Sequence, residues 1–266
     1  MPRRWARTRA RFRSPTPDSA DDGAVLSVVM PAHNEAAYLE SAVREVRDGL
    51  RARGYDLEVI VVENGSTDET LPIARHIAED TPDVRVSSRP VADYGASLRD
   101  GMMTANGELL VTFDVDYYDL AFADDAIRLL TGAAPTPAIV VGSKRAPGAR
   151  DERPWPRRLV TTVFSALLRL LFSLSVSDTH GMKAMRRAAV APIVAQCRFR
   201  SDLFDTELVI RSERAGVGVT ELPVHAQERR PSRTPIWRRV PRSVAGMLVL
   251  RLALWRGARH PRPTSS

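Results

Sequence analysis

The residues best suited to chemistry in this chain are Asp114 and Asp116, which close an apolar run in Phe113-Asp114-Val115-Asp116. Two carboxylates one residue apart at the end of a strand cannot both face an apolar core, because a buried charge without a partner is costly. They need a counter-charge. Mg²⁺ or Mn²⁺ would supply one, since a hard cation held by one or two carboxylates completes its shell with water and diphosphate oxygens. Taken alone, Asp-x-Asp also fits a solvated turn or a helix cap, so its meaning depends on the neighbouring segments.

The elements that must position this pair can be read from hydrophobic periodicity. Val25–Met30 is a β-branched run closed by Pro31, after which Leu39, Val43, Val46 and Leu50 recur at helical spacing. Leu57–Val62 predicts a second strand, followed by the Gly65-Ser66 turn and a helix that Thr67 or Asp68 could cap. Val84–Ser87 predicts a third strand, Ala96–Ala105 a helix stopped at Asn106-Gly107, and Glu108–Phe113 a fourth strand. Ala121–Leu130 and Ala138–Gly142 add a helix and a strand. Such alternation predicts an α/β fold, a mainly parallel sheet with helices on both faces. Ligands bind such sheets at the carboxyl ends of the strands. Three of those ends carry His33-Asn34-Glu35, Glu63-Asn64-Gly65-Ser66 and Asp114-Val115-Asp116. Further on, Ala146–Arg158 reads as a mobile, proline-rich loop leading to an apolar helix within Leu159–Val176. A helix near Arg187–Gln196, an amphipathic helix near Phe204–Ala215 and a strand near Val217–Pro223 follow.

In order and spacing, the segments around His33-Asn34-Glu35, Glu63-Asn64-Gly65-Ser66 and Asp114-Val115-Asp116 resemble the inverting GT-A glycosyltransferases of family 2. Within that family the resemblance is to the dolichyl- and polyprenyl-phosphate mannose synthase-like branch, and it runs from Leu26 to Thr234. It implies a GT-A, Rossmann-like domain, a nucleotide-diphosphate sugar donor, and Mg²⁺ or Mn²⁺ on Asp114 and Asp116. It also implies a nucleotide-sugar site drawn from Pro31, Ala32, Glu35, Glu63, Asn64, Ser66, Gly95 and Asp114. Ser177-Asp178-Thr179-His180-Gly181-Met182-Lys183 resembles the acceptor-side segment, which makes Asp178 a candidate to orient or deprotonate the acceptor. Glu207, in Phe204-Asp205-Thr206-Glu207-Leu208, is the second catalytic candidate, whereas His180 is a lone loop histidine of the kind usually incidental. Arg229 and Arg233 match a basic block where guanidinium groups would fork onto phosphate. The implied acceptor is a lipid phosphate, a nucleophile already ionised near neutral pH that needs no strong base. Three places depart from the family pattern: Asn64 replaces an acid, Asp93-Tyr94 stands where glycine is common, and Tyr117-Tyr118-Asp119 replaces a small polar stretch.

With 266 residues, 44% apolar and 27% charged, the chain is long enough for one sizeable domain and is not of disordered composition. Residues 1–23 read as a disordered basic arm, 24–235 as the GT-A domain and 236–266 as a basic, partly amphipathic tail. The net charge of +7 comes almost wholly from arginine, crowded at both ends. Basic ends suit an anionic surface, or are simply solvated; a nucleic-acid partner is not expected, for want of a recognisable motif. Leu159–Val176 and Val244–Trp255 are interrupted by Arg169 and Arg251 and fall short of a membrane span. Flanked by Trp and Arg, they fit interfacial helices on the cytoplasmic side of a membrane. The other readings of the apolar helix are a core element or the contact of a homo-oligomer. A single cysteine, Cys197, excludes an intrachain disulfide and fits a reducing compartment, and the N-terminal arm lacks the apolar run of a secretory signal. Two alternatives stay open: transfer to a soluble or polysaccharide acceptor, and, ranked lower, a non-catalytic anion- or nucleic-acid-binding protein with a degenerate sugar-nucleotide site.

Overall fold

The computed structural model describes residues 26–152, 155–199, 203–226 and 245–252. Its first half alternates as the periodicity predicts: β1 (Leu26–Ala32), α1 (Leu39–Ala52), β2 (Leu57–Asn64), α2 (Thr70–Asp80), β3 (Val84–Arg89), α3 (Tyr94–Thr104), β4 (Leu109–Thr112), α4 (Leu120–Thr131) and β5 (Ile139–Ser143). The second half adds β6 (Arg150–Asp151), α5 (Trp155–Phe172), β7 (Lys183–Arg186), α6 (Arg187–Val194), α7 (Leu203–Arg214), β8 (Val219–Pro223) and β9 (His225–Ala226). Residues 245–252 form a further helical stretch.

Seven strands make one sheet in the order β3-β2-β1-β4-β7-β5-β8, parallel except for β7, which runs against both neighbours. Alternate side chains serve opposite faces, as the pleat requires. Leu26, Val28 and Met30 of β1 meet α1, α2 and α4 in one core, while Val29 joins α3, α5, α6 and α7 in the other. Helices therefore cover both faces, in agreement with the predicted α/β class.

Four differences from the sequence reading have physical causes. Pro31 does not close β1; the strand runs through it to Ala32, pairing only with β2 there, because the pairing of β1 with β4 ends at Val29 opposite Thr112. A residue without an N–H is tolerated where one flank of the ladder is gone. The strand β7 was not foreseen, since four residues bounded by Lys183 and Arg186 carry no apolar run. The segment read as a mobile loop instead contains β6, paired with β9, and α5 already begins at Trp155. Finally, α7 is not amphipathic: Leu203 through Ile210 are all buried, including Asp205, Thr206 and Glu207.

The packing of α3 on the sheet requires a glycine. A Cβ at Gly101 would stand 2.3 Å from Val29 Cγ1 and 3.1 Å from Val62 Cγ2. Gly101→Ala is therefore expected to cost roughly 1–3 kcal/mol by overpacking, visible as a lower thermal midpoint; an unchanged midpoint would refute this account of the α3 contact.

Candidate active site

At the carboxyl edge of the sheet, Asp114 and Asp116 sit on a tight turn. Asp114 N donates to Tyr117 O at 3.2 Å and Tyr117 N returns the bond to Asp114 O at 3.1 Å. Val115 is 3% exposed and roots the turn in the core, so the acids on either side keep an opening to solvent. Tyr118 is also an anchor: its ring packs 6.3 Å from that of Phe113 and its hydroxyl donates to Glu45 Oε2 at 2.5 Å. Asp119 caps α4 by accepting from Ala121 and Phe122 N–H. Of this departure from the family pattern, Tyr117 alone faces the site, under Lys144 Nζ at 5.0 Å from its ring centre.

The protein packed around the Asp114 carboxyl, and then the charges of Asp116 and Asp205, push its pKa up to about 6, partly offset by Tyr94 and Lys144. Tyr94 starts α3 and donates its hydroxyl to Asp114 Oδ1 at 3.1 Å. Lys183 and Asp205 lie below this edge as a buried pair, Nζ to Oδ1 2.9 Å. The antiparallel direction of β7 is what brings the start of that strand to the carboxyl end of β4, with Lys183 opposite Thr112.

The two upstream loops are latched together. Asn34, at φ +55°, donates its N–H to Ser66 Oγ at 2.9 Å and accepts Thr67 N–H at 2.8 Å. Glu35 N–H donates to Thr70 Oγ1 at 2.7 Å, and Asp68 accepts from Thr70 N–H and Ala36 N–H. Ser66 is thus part of the latch. Pro31 and Ala32 lie buried within β1, and Glu35 is buried behind the loop. Glu63 is 2% exposed and commits both oxygens inward: Oε1 accepts Ser66 N–H at 2.5 Å and Oε2 accepts Ser88 Oγ at 2.7 Å. These bonds brace the turn of the second loop. Asn64 accepts Asp93 N–H on Oδ1 at 2.6 Å, which ties it to the start of α3, where Gly95 is buried in the first turn. Gly65, at φ +61°, lies so close to the next loop that a Cβ would stand 2.7 Å from Ala92 N.

The acceptor-side candidates are also engaged. Asp178 is 5% exposed, with Oδ1 accepting His180 N–H at 3.0 Å and Oδ2 facing Lys144 N–H at 3.4 Å. Glu207 is fully buried; it accepts Arg198 and Phe199 N–H at 2.7 and 2.8 Å and Arg211 Nε at 2.7 Å. Its oxygens hold the chain entering α7. His180 packs edge-on against Phe164 of α5 at 5.4 Å. Arg229 and Arg233 lie outside the described residues. Sequence reasoning passed over Tyr94, Lys144, Lys183 and Asp205; the signal available was that the chain's two lysines are a rarity among 39 basic residues.

The mainly parallel sheet thus carries an Asp-x-Asp turn at its carboxyl edge, flanked by two loops latched together. Residues 27–193 match the family model described as Glycosyl transferase family 2, and the chain belongs to that family. It is 31% identical over 207 residues to Glycosyltransferase AglD of Haloferax volcanii, covering 76% of this chain and 33% of the relative, so it spans about a third of that protein's length. It is 27% identical over 226 residues to Dolichyl-phosphate beta-glucosyltransferase ALG5A of Trichomonas vaginalis, covering 80% of this chain and 69% of the relative. Among solved structures, glucosyl-3-phosphoglycerate synthase from Mycobacterium tuberculosis, in complex with Mn²⁺, UDP-glucose and phosphoglyceric acid, superposes with TM-score 0.62 at 23% identity. That match covers 86% of this chain and 80% of the other and establishes a common fold.

Burial alone would raise the Glu63 carboxyl, yet bonds from Ser88 Oγ and Ser66 N–H outweigh it and hold its pKa below the ordinary value. A depressed folded pKa contributes stability that is fully present above the unfolded value of about 4.3 and is lost as pH falls through the lower folded one. Glu63→Gln is expected to be less stable by roughly 1–3 kcal/mol near neutrality and to show a flatter acid limb in denaturant melts; parallel curves for the two proteins would contradict this.

Proposed function

We propose that this glycosyltransferase moves a sugar from a nucleotide diphosphate to a phosphorylated acceptor held at a membrane surface, with inversion at the anomeric carbon. The observation that carries this reading is the position of α5 between the site and solvent. Its inner side meets the site through Phe164, which packs on His180, while Thr162, exposed on the other side, accepts from Arg145 at 2.6 Å. Its outer side leaves Trp155 73%, Leu159 54%, Val163 51% and Leu170 78% exposed. The 245–252 helix continues that surface: Arg251 donates to Leu171 O, Met247 and Leu250 are buried, and Leu248, Val249 and Leu252 are exposed. Such a face fits peripheral contact with the cytoplasmic leaflet, interfacial helices being apolar outward with basic residues at headgroup level. No helix of the described residues is long and apolar enough to cross a membrane.

Asp114 and Asp116 fit a hard divalent cation, being two oxygen donors on one turn, one of them short of compensating positive charge. When bound there, Mg²⁺ or Mn²⁺ would neutralise the departing diphosphate. The nucleoside would then lie across the ends of β1 and β2, beside Asn64 and the start of α3. Tyr94 holds the Asp114 carboxylate in place, and Lys144 adds positive charge between donor and acceptor. The acceptor oxygen attacks the anomeric carbon from the face opposite the diphosphate. Asp178 steadies the loop beneath it, and with Asp178 and Glu207 both committed to backbone N–H groups an acceptor that arrives ionised is favoured. The polyprenyl-type acceptor draws support from the dolichyl-phosphate transferase relative. A soluble phosphorylated acceptor is the second reading, favoured by the phosphoglyceric acid complex of the structural neighbour.

Two measurements test the proposal. Mn²⁺-dependent thermal stabilisation by one of UDP, GDP or dTDP is expected in the wild type and lost in Asp116→Ala; a variant that keeps it refutes the metal assignment. Leu159→Glu with Leu170→Glu is expected to reduce flotation with anionic phospholipid vesicles at least tenfold, on the order of the desolvation and repulsion introduced. Wild-type protein that does not float would instead favour the soluble acceptor.

A further inference from the structure

The helix α5 differs from its neighbours in charge. Its 18 residues hold no Asp or Glu, whereas α1, α2, α3, α4 and α7 each carry at least one acid. On α1, α4 and α7 a basic side chain is matched within the helix, Arg44 by Glu40, Arg128 by Asp125 and Arg211 by Glu207. The helical stretch at 245–252, which Arg251 ties to the end of α5 by donating to Leu171 O, has no acid either.

The exposed residues of α5 fall into two adjoining rows. Trp155, Leu159, Val163, Ala166 and Leu170 recur at spacings of three and four and make an apolar row. Arg158, Thr162 and Arg169, at spacings of four and seven, lie along the flank beside it. A third guanidinium joins this flank at Thr162, because Arg145 reaches over from the turn after β5 and donates Nη1 to Thr162 Oγ1 at 2.6 Å. Arg169 is steadied by a bond from its Nε to Val176 O at 3.4 Å. From Arg158 to Arg169 the flank runs about 16 Å at the ordinary helical rise. Among the described residues the ion pairs lie on other elements, so these guanidiniums stand without carboxylate partners.

A row of like charges adds nothing to the stability of the helix. It is complementary to a surface of opposite sign, and the apolar row beside it says which kind. On an anionic bilayer the apolar side chains enter the acyl boundary while the guanidiniums meet phosphates in a fork. A nucleic-acid strand would match the charge and leave Trp155, Leu159 and Leu170 wet, and a second copy of the chain would present the same sign of charge.

We propose that the arginine flank of α5, formed by Arg145, Arg158 and Arg169, binds the anionic headgroups of a phospholipid bilayer, so that the folded domain and not only its arginine-rich ends selects the membrane by charge. The inference rests on the membrane contact given under Proposed function and adds which lipids provide it. Arg145 follows Lys144 in the chain, so headgroups on this flank stand next to the turn that holds Lys144 over the Tyr117 ring at 5.0 Å.

The test is flotation of the full chain with vesicles of phosphatidylcholine alone and of phosphatidylcholine mixed with phosphatidylglycerol, for wild type, for Arg145→Gln/Arg158→Gln/Arg169→Gln, and for the same three positions changed to lysine. Wild type is expected to prefer the anionic vesicles. Each basic residue near such a surface contributes about fivefold, so the glutamine variant is expected to bind them roughly a hundredfold more weakly while its binding to neutral vesicles is unchanged. The lysine variant is expected to keep most of the preference. Arg158→Gln/Arg169→Gln leaves the bond from Arg145 to Thr162 in place, which controls for a local loss of fold, and is expected to lose roughly twentyfold. Glutamine variants that keep the wild-type preference would assign it to the arginine-rich ends and overturn the proposal, as would wild type that binds both vesicles alike. Wild type that binds neither would sink the membrane reading itself.

Discussion

Like charges have to be gathered at one edge of the sheet and kept there, and much of the surrounding structure answers to that constraint. Burial, and then the charges of Asp116 and Asp205, push the Asp114 carboxyl up, in partly dry surroundings where repulsion is weakly screened. The chain restrains them mechanically as well as electrostatically. Reciprocal backbone bonds close the 114–117 turn, Val115 fixes it to the core, and the Tyr94 hydroxyl takes one lone pair of Asp114. The antiparallel strand β7 lets the chain deliver a lysine to an edge that parallel strands would have supplied only through their loops.

The polar groups around that edge are largely spent on one another. Asn34, Ser66, Asp68 and Thr70 bind the first two loops into one body, Glu63 braces the second, and Asp178 and Glu207 hold the turns that lead to β7 and α7. A site built in this way gives up little order when it receives its substrates, which is the condition for electrostatic and orientational effects to act fully. Cys197 belongs to the same quiet interior: burial, then Glu207, push its thiol up to about 12, so it behaves as a small apolar side chain.

Much of the first half of the fold could be read directly, because parallel strands buried on both faces leave unbroken apolar runs and the helices between them repeat at regular spacing. The three strand-end motifs were legible for the same reason. What sequence does not display is which lone pair or N–H is already taken. Nothing in the sequence shows that Glu63 is bonded to Ser66 and Ser88, or Glu207 to Arg211. Tyr118 and Asp119 look like specificity changes until one is found in the core and the other capping α4. The strand β7 escaped notice because its position is decided by neighbours distant in sequence, and its ends, Lys183 and Arg186, carry charge. Pro31 misled for a related reason: its effect depends on whether a partner strand is still alongside.

One contact has an evolutionary implication. The Asn64 side chain accepts the backbone N–H of Asp93, and the two residues mark separate departures from the pattern of the family. Losing the acceptor at position 64 would leave that half-buried N–H without this partner, and rebuilding the start of α3 would move it out of reach of Asn64. The contact therefore asks for an acceptor side chain at position 64 but rules out only proline at position 93, so the two positions can change separately as long as the backbone before α3 keeps its course.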